Sequence, residues 1–282
     1  MSGAKVLRFM KVEEFNLNLR SARKYIRVWL TMAKMSFAEQ SSSRLNAATL
    51  FLGKIIRLGF VFFFLIALFS HTQSLAGFSL TETLLFFMTF NLVDMTSQLL
   101  FRGIYWIKWL IDRGELDLTL TRPISPLFRL ATHTTDFLDL LTLIPTLVIL
   151  LGVMARLDTQ ISFWQLFLYL LLVLLGVILA LSIHIFVAGV AVFTQEVDNL
   201  IWIYRDLMTM GRFPASIYAL PVRLVLTFAI PIAVMVSFPA EALLGILSWY
   251  WVLFSILWTA LFFWGSLKFW KLSLKYYTSV SS

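Results

Sequence analysis

Asn91, Asp94 and Gln98 recur at spacings of three and four residues inside an otherwise apolar stretch, and Arg102 continues the same helical stripe. Polar groups at that depth in an apolar segment are costly unless they are paired or wetted. The stripe is therefore expected either to line a pathway or subunit interface, or to pair with another segment, for example Asp94 with Arg57. A second set, Asp136 and Asp139, lies one turn apart at the start of a later apolar stretch that contains Pro145. Such carboxylates could carry protons, so an ion-coupled carrier is one chemistry open to Asp94, Asp136 or Asp139. Ser182 and His184 sit between Gly176 and Gly189, where glycine lets helices approach closely.

Other chemistry is poorly supplied. His71, His133 and His184 are isolated, and neither a His-Glu-x-x-His nor a Gly-x-Ser-x-Gly pattern occurs. Gly53-Lys54 is the Gly-Lys pair that a phosphate loop would use. The loop would also need glycine at position 48, which is Ala48, and serine or threonine at 55, which is Ile55. The chain has no cysteine, which excludes disulfides, thiolate metal sites and thiol catalysis.

The elements that must position these residues are membrane helices. At 60% hydrophobic and 13% charged residues, with mean hydropathy +0.87, the composition is far from that of a soluble domain. Six apolar runs, near 50–69, 83–101, 135–154, 163–193, 222–238 and 245–267, are each long enough to cross a bilayer. All of the 23 Lys and Arg except Arg156 fall on one side of that arrangement. Basic loops stay cytoplasmic, so both termini are expected inside. This accounts for the net charge of +8 without a nucleic-acid partner. Residues 1–18 carry charge without an apolar core, so no cleaved signal peptide is expected, and the first span serves as the insertion signal.

Before that span, Arg20, Arg23, Lys24, Arg27, Thr31 and Lys34 recur every three or four residues. Ala22, Ile26, Trp29, Ala33 and Phe37 share the other face. This is an amphipathic helix suited to the cytoplasmic headgroup layer, the plainer reading being a helix packed on protein. The outer connections are short, and the inner ones, 102–134 and 194–221, are longer. Soluble contacts are therefore expected on the cytoplasmic side.

The densest local signal is GELDLTLTRPISPLF at 114–128. Gly114 suits a helix C-terminal cap, and Ser125-Pro126 reads as an N-cap followed by a first-turn proline. Between them Leu116, Leu118 and Leu120 alternate with Glu115, Asp117 and Thr119. That is strand periodicity, although a short helix fits the length equally well. A knuckle so punctuated, with charge beside leucine, suits docking of a soluble partner.

That segment, with GRFPASIYALPVRLVLTFAIP (211–231), FPAEALLG (238–245) and FWKLSLKYYTSVSS (269–282), resembles a subfamily of type-2 ATP-binding-cassette permeases. The resemblance implies six spans per subunit, two permease subunits, alike or related, and two separate ATPase subunits. The ATPases would touch the interfacial helix and the loop bearing Gly114, Glu115, Leu116, Asp117, Leu118, Arg122 and Pro123. ATP and Mg would be bound by those ATPases, with no cofactor in this chain.

The chain thus reads as an all-α polytopic membrane protein of the bacterial inner membrane. It comprises a cytoplasmic segment 1–49, a six-span domain 50–268 and a tail 269–282. Its expected role is the permease subunit of an exporter, with Asn91, Asp94 and Gln98 on the pathway or subunit interface. The alternatives are an ion-coupled secondary transporter using intramembrane carboxylates, and a non-transporting scaffold.

Overall fold

The computed structural model describes residues 19–158, 160–194 and 200–278. Residues 1–18, on which the signal-peptide expectation rests, lie outside them. Among the described residues no β-strand forms, and the chain is a succession of helices. Helix α1 (Leu19–Ser42) precedes α2 (Arg44–Phe69). Helix α3 (Leu80–Phe101) begins at a capping box: Ser79 N donates to Glu82 Oε2 at 2.7 Å, and Glu82 N donates to Ser79 Oγ at 3.4 Å. After a 3₁₀ turn come three short helices, α4 (Ile107–Asp112), α5 (Glu115–Leu120) and α6 (Pro126–Ala131). Helix α7 (Phe137–Met154) is capped by Asp136, whose Oδ1 accepts from Leu138 N at 2.9 Å. Then follow α8 (Phe163–Thr194), α9 (Leu200–Met208), α10 (Leu220–Leu224), α11 (Phe238–Leu243) and α12 (Trp249–Tyr276).

Helix α3 is the hub. Of its most apolar window 72% is buried, against 11% for α2 and 17% for α12, so the outer helices leave their flanks for lipid. Helix α7 runs antiparallel to α3, since Arg102 meets Asp136 at one end while Thr146 bonds Met95 further along. Helix α8 runs parallel to α3, with Tyr169 on Thr89 and His184 against Phe101. Helices α8 and α12 are also parallel, pairing Phe186 with Phe269 and Phe193 with Tyr276.

Because α8 and α12 point the same way, the chain between them must return across the bilayer. It does so irregularly. Helix α10 continues as a π-turn over Val225–Ala229, Ile230 is extended (φ −122°, ψ 90°), and a second π-turn over Ala233–Ser237 leads into α11. The two arms, Leu220–Ala229 and Ala233–Leu243, meet at 81°. The break falls at Pro231, which has no N–H for a helix ladder and disfavours helical geometry at the residue before it. The straight fifth run expected at 222–238 is therefore a bent pair. Part of the far-side turn expected after it, 239–244, is helix α11, most of it buried. The connection expected as a soluble inner loop, 194–221, is instead partly embedded. Gly211 lies among Phe90, Ile232 and Val236, and Ala215 N donates to Ser237 Oγ at 3.1 Å. The chain reaches the far end at Gly245, beside Gln165 near the start of α8.

Candidate functional site

The knuckle resolves into helix rather than alternation, and this re-sorts its leucines. Gly114, at φ 71°, closes α4 in the left-handed region and opens α5. In a helix Leu116 and Leu120 share a face, and they pack toward Leu130, Trp270 and Leu274. Leu118 falls on the opposite side and is 62% exposed, and Arg122 and Pro123 in the turn that follows are exposed too. Of the three leucines, only Leu118 is exposed. Glu115 and Asp117 lie half-buried beside it.

Helix α1 is fastened along this knuckle and the stretch that follows. Lys24 Nζ donates to Pro123 O at 2.7 Å, and Ser125 N donates to Tyr25 Oη at 3.4 Å. Tyr25 also meets Phe128 edge-on at 4.7 Å. Further along, Thr135 N donates to Ser36 Oγ at 3.2 Å. Gln40 then clasps both backbone polarities, donating to Thr135 O at 2.9 Å and accepting from Phe137 N at 3.2 Å. The stripe of α1 that faces protein is therefore Tyr25, Met32, Ser36 and Gln40, while Ile26 and Phe37 of the expected apolar side remain exposed. Burial and the nearby Arg129 push His133, between α6 and α7, below the ordinary histidine range, so its ring is neutral at pH 7.

Above this clamp, four charges knit three helices together. Lys54 Nζ of α2 lies 2.9 Å from Asp136 Oδ2 and 2.7 Å from Asp139 Oδ1, and Arg102 Nη1 lies 3.1 Å from Asp136 Oδ2. Two acids face two bases, so neither carboxylate is left uncompensated in a buried place.

The stripe on α3 is buried within the chain's own core. Asn91 Nδ2 donates to Phe87 O at 2.7 Å in its own helix. Asp94 Oδ1 accepts from Arg205 Nη1 of α9 at 2.7 Å, so the pairing partner is Arg205 and not Arg57. With its amide oxygen toward Arg205, Gln98 accepts from the guanidinium and exchanges a hydrogen bond with Tyr105 Oη. Tyr105 stacks on His184, whose other side meets Tyr204 edge-on. His184 Nδ1 bonds Ala180 O at 2.7 Å, and Nε2 has no hydrogen-bond partner among the described residues.

Residue reading missed Arg205, Lys54, Tyr25, Ser36 and Gln40 as parts of these sites. A usable signal did exist for one of them. Each buried acid within a span requires a base at similar depth, and Lys54 lies inside the first apolar run.

The family model described as ABC-2 family transporter protein matches residues 55–281. The chain belongs to the ABC-2 family of transporter proteins. No curated protein and no solved structure matches it. As an ABC-2 permease it is a multi-pass membrane protein, the membrane component of an ABC transporter. The match runs from α2 through the tail and so takes in the knuckle, the α3 stripe and the bent pair, while α1 precedes it.

Proposed function

We propose that this chain is the membrane subunit of an ABC exporter whose separate ATPase subunits dock on the surface made by α1 and α5. The observation that carries the reading is the fastening of α1 to the 123–137 stretch, with Leu118, Arg122 and Pro123 exposed beside it. A force applied at α5 has two routes into the spans. One runs through Leu116 onto Trp270 and Leu274 of α12, the other through α6 and Leu130 onto the end of α3 at Gly103. ATP-driven closure of the partner ATPases, which bind the nucleotide and Mg, would push on this surface and tilt the spans between inward- and outward-facing states.

The assembly would hold two such permease subunits, alike or related, and two ATPases. The basic end faces the cytoplasm of a bacterial inner membrane, following the one-sided placement of Lys and Arg. An ion-coupled carrier would need a carboxylate free to exchange its proton. Asp94, Asp136 and Asp139 each lie against a basic partner, which favours the ATP-driven reading.

Apolar anchors carry most of the energy of such docking, while rim charges set register. Leu118→Asp is therefore expected to abolish co-purification of the ATPase while leaving insertion and yield intact. Arg122→Glu should weaken transport-stimulated hydrolysis more than assembly. Full assembly and stimulation in Leu118→Asp would sink this docking surface.

A further inference from the structure

Away from the proposed docking surface, the basic-end half of the spans carries a half-open cavity of about 590 Å³. Its walls include Ile183 and Phe186 of α8, Ile203 and Leu207 of α9, Ile230 at the bend and Trp264 of α12. Depth follows from helix rise. Helix α12 begins at Trp249, so Trp264 lies about 22 Å along it at 1.5 Å per residue. In a hydrocarbon core about 30 Å thick, that is the third nearest the basic end.

The two wall serines offer little to water. Ser182 donates to Ile178 O at 2.8 Å, and Ser266 to Phe263 O at 2.9 Å, each within its own helix. A cavity holds water only where polar partners converge, so this one calls for apolar contents. A transmembrane helix is about 10 Å across and would not seat in this volume, whereas a flexible hydrocarbon chain would. Among the described residues, the charge beside the Trp264 wall is basic. Lys268 Nζ sits 5.5 Å from the centroid of the Trp264 ring, and Lys271 and Lys275 follow along α12 toward the basic end. The acid of the facing element, Asp206, is exposed and lies off the Leu200–Ile203–Tyr204–Leu207 stripe that forms the α9 wall.

We propose that this cavity binds an acyl chain of an anionic amphiphile drawn from the cytoplasmic leaflet, with its head against Lys268. The choice of leaflet rests on the orientation adopted above. The binding chemistry rests on the cavity alone.

The test places the full chain in phosphatidylcholine vesicles containing a minority of brominated-chain phosphatidylglycerol or, separately, brominated-chain phosphatidylcholine. Subtracting the signal of Trp264→Phe isolates the quenching of Trp264 among the ten tryptophans. Phosphatidylglycerol is expected to half-quench Trp264 at about one-fifth the concentration of phosphatidylcholine, the effect of one basic side chain on an anionic head. A Cβ at Gly265 meets nothing within 4 Å, so Gly265→Phe puts its ring into open space and should abolish the quenching. Gly265→Ala should leave it unchanged, and Lys268→Glu should erase the lipid preference while keeping the quenching itself.

Equal quenching by both lipids in the native chain would overturn the anionic head. Undiminished quenching in Gly265→Phe would overturn the cavity as the site. Absence of quenching, with Trp264 cross-linking to a second copy, would put protein there instead and overturn the proposal. The vesicles contain no ATPase and no ATP, so failure here leaves the docking reading standing, and failure of docking leaves this one standing.

Discussion

Between α1 and the stretch leading into α7, polar bonds join residues close to a hundred positions apart. Between α8 and the bent pair, by contrast, backbone presses on backbone at Gly176, where a Cβ would come within 2.7 Å of Met235 O. The first kind of joint is a ladder. It fixes register, since each donor has its own acceptor, and it weakens one rung at a time. The second is steric: it has no donors to satisfy and allows small sliding until atoms collide, when the cost rises steeply. A permease that passes motion from a soluble partner into its spans needs both. On the docking reading proposed above, the ladder would keep the receiving surface rigid, and the smooth joint would let the spans shift against each other.

The largest effect is expected where a polar joint lies deepest. Asp94→Leu leaves Arg205 without its counter-charge and should cost about 3 kcal/mol, the lower end for a buried pair, because the Arg205 side chain keeps 21% exposure. The second substitution Arg205→Met should restore most of the lost yield and thermal stability in detergent. No recovery in the double variant would mean the pair does more than balance charge.

Next comes the steric joint. Gly176→Val should cost about 1–3 kcal/mol, and trimming the neighbouring side chain with Met235→Ala should not rescue it, because the clash is with backbone. Gly189 supplies the control. There a Cβ meets the Phe269 ring at 2.7 Å, so Gly189→Ala should be largely relieved by Phe269→Leu. Rescue of both, or of neither, would erase the distinction between the two contacts.

The smallest effect tests the ladder. Gln40→Ala frees Thr135 O and Phe137 N and should cost about 1–2 kcal/mol, read as a lowered midpoint of thermal unfolding. Ser36→Ala, losing one rung, should cost less than Gln40→Ala, and a loss in both together beyond the sum would show that the rungs act as a unit.

Much of this architecture was legible because it is local. Gly114 announces the left-handed cap it adopts, Ser125-Pro126 opens a helix where expected, and five of the six apolar runs become long helices. What the sequence hid is relational. Asp94 and Arg205 are 111 residues apart, and nothing in either neighbourhood names the other. The alternation of Leu116, Leu118 and Leu120 suits a strand as well as one helical turn, so only packing on Leu130 and Leu274 decides which leucines remain outside. The bend at Ile230-Pro231 lay within an apolar run, where hydropathy reads a straight span, although the proline was the available warning.

Helix α12 has 28 residues, about 42 Å of rise, against a hydrocarbon core of about 30 Å. Such a helix must tilt or project, and its tilt is set in part by how thick the surrounding bilayer is. Its last turns bring Trp270 and Leu274 into the buried cluster that holds Leu116 of the knuckle. On the docking reading proposed above, membrane thickness becomes an input to that surface: thinner bilayers would lean α12 over and shift α5, thicker ones would stand it upright. The lipid composition of the host membrane would thereby tune how the permease receives the proposed partner.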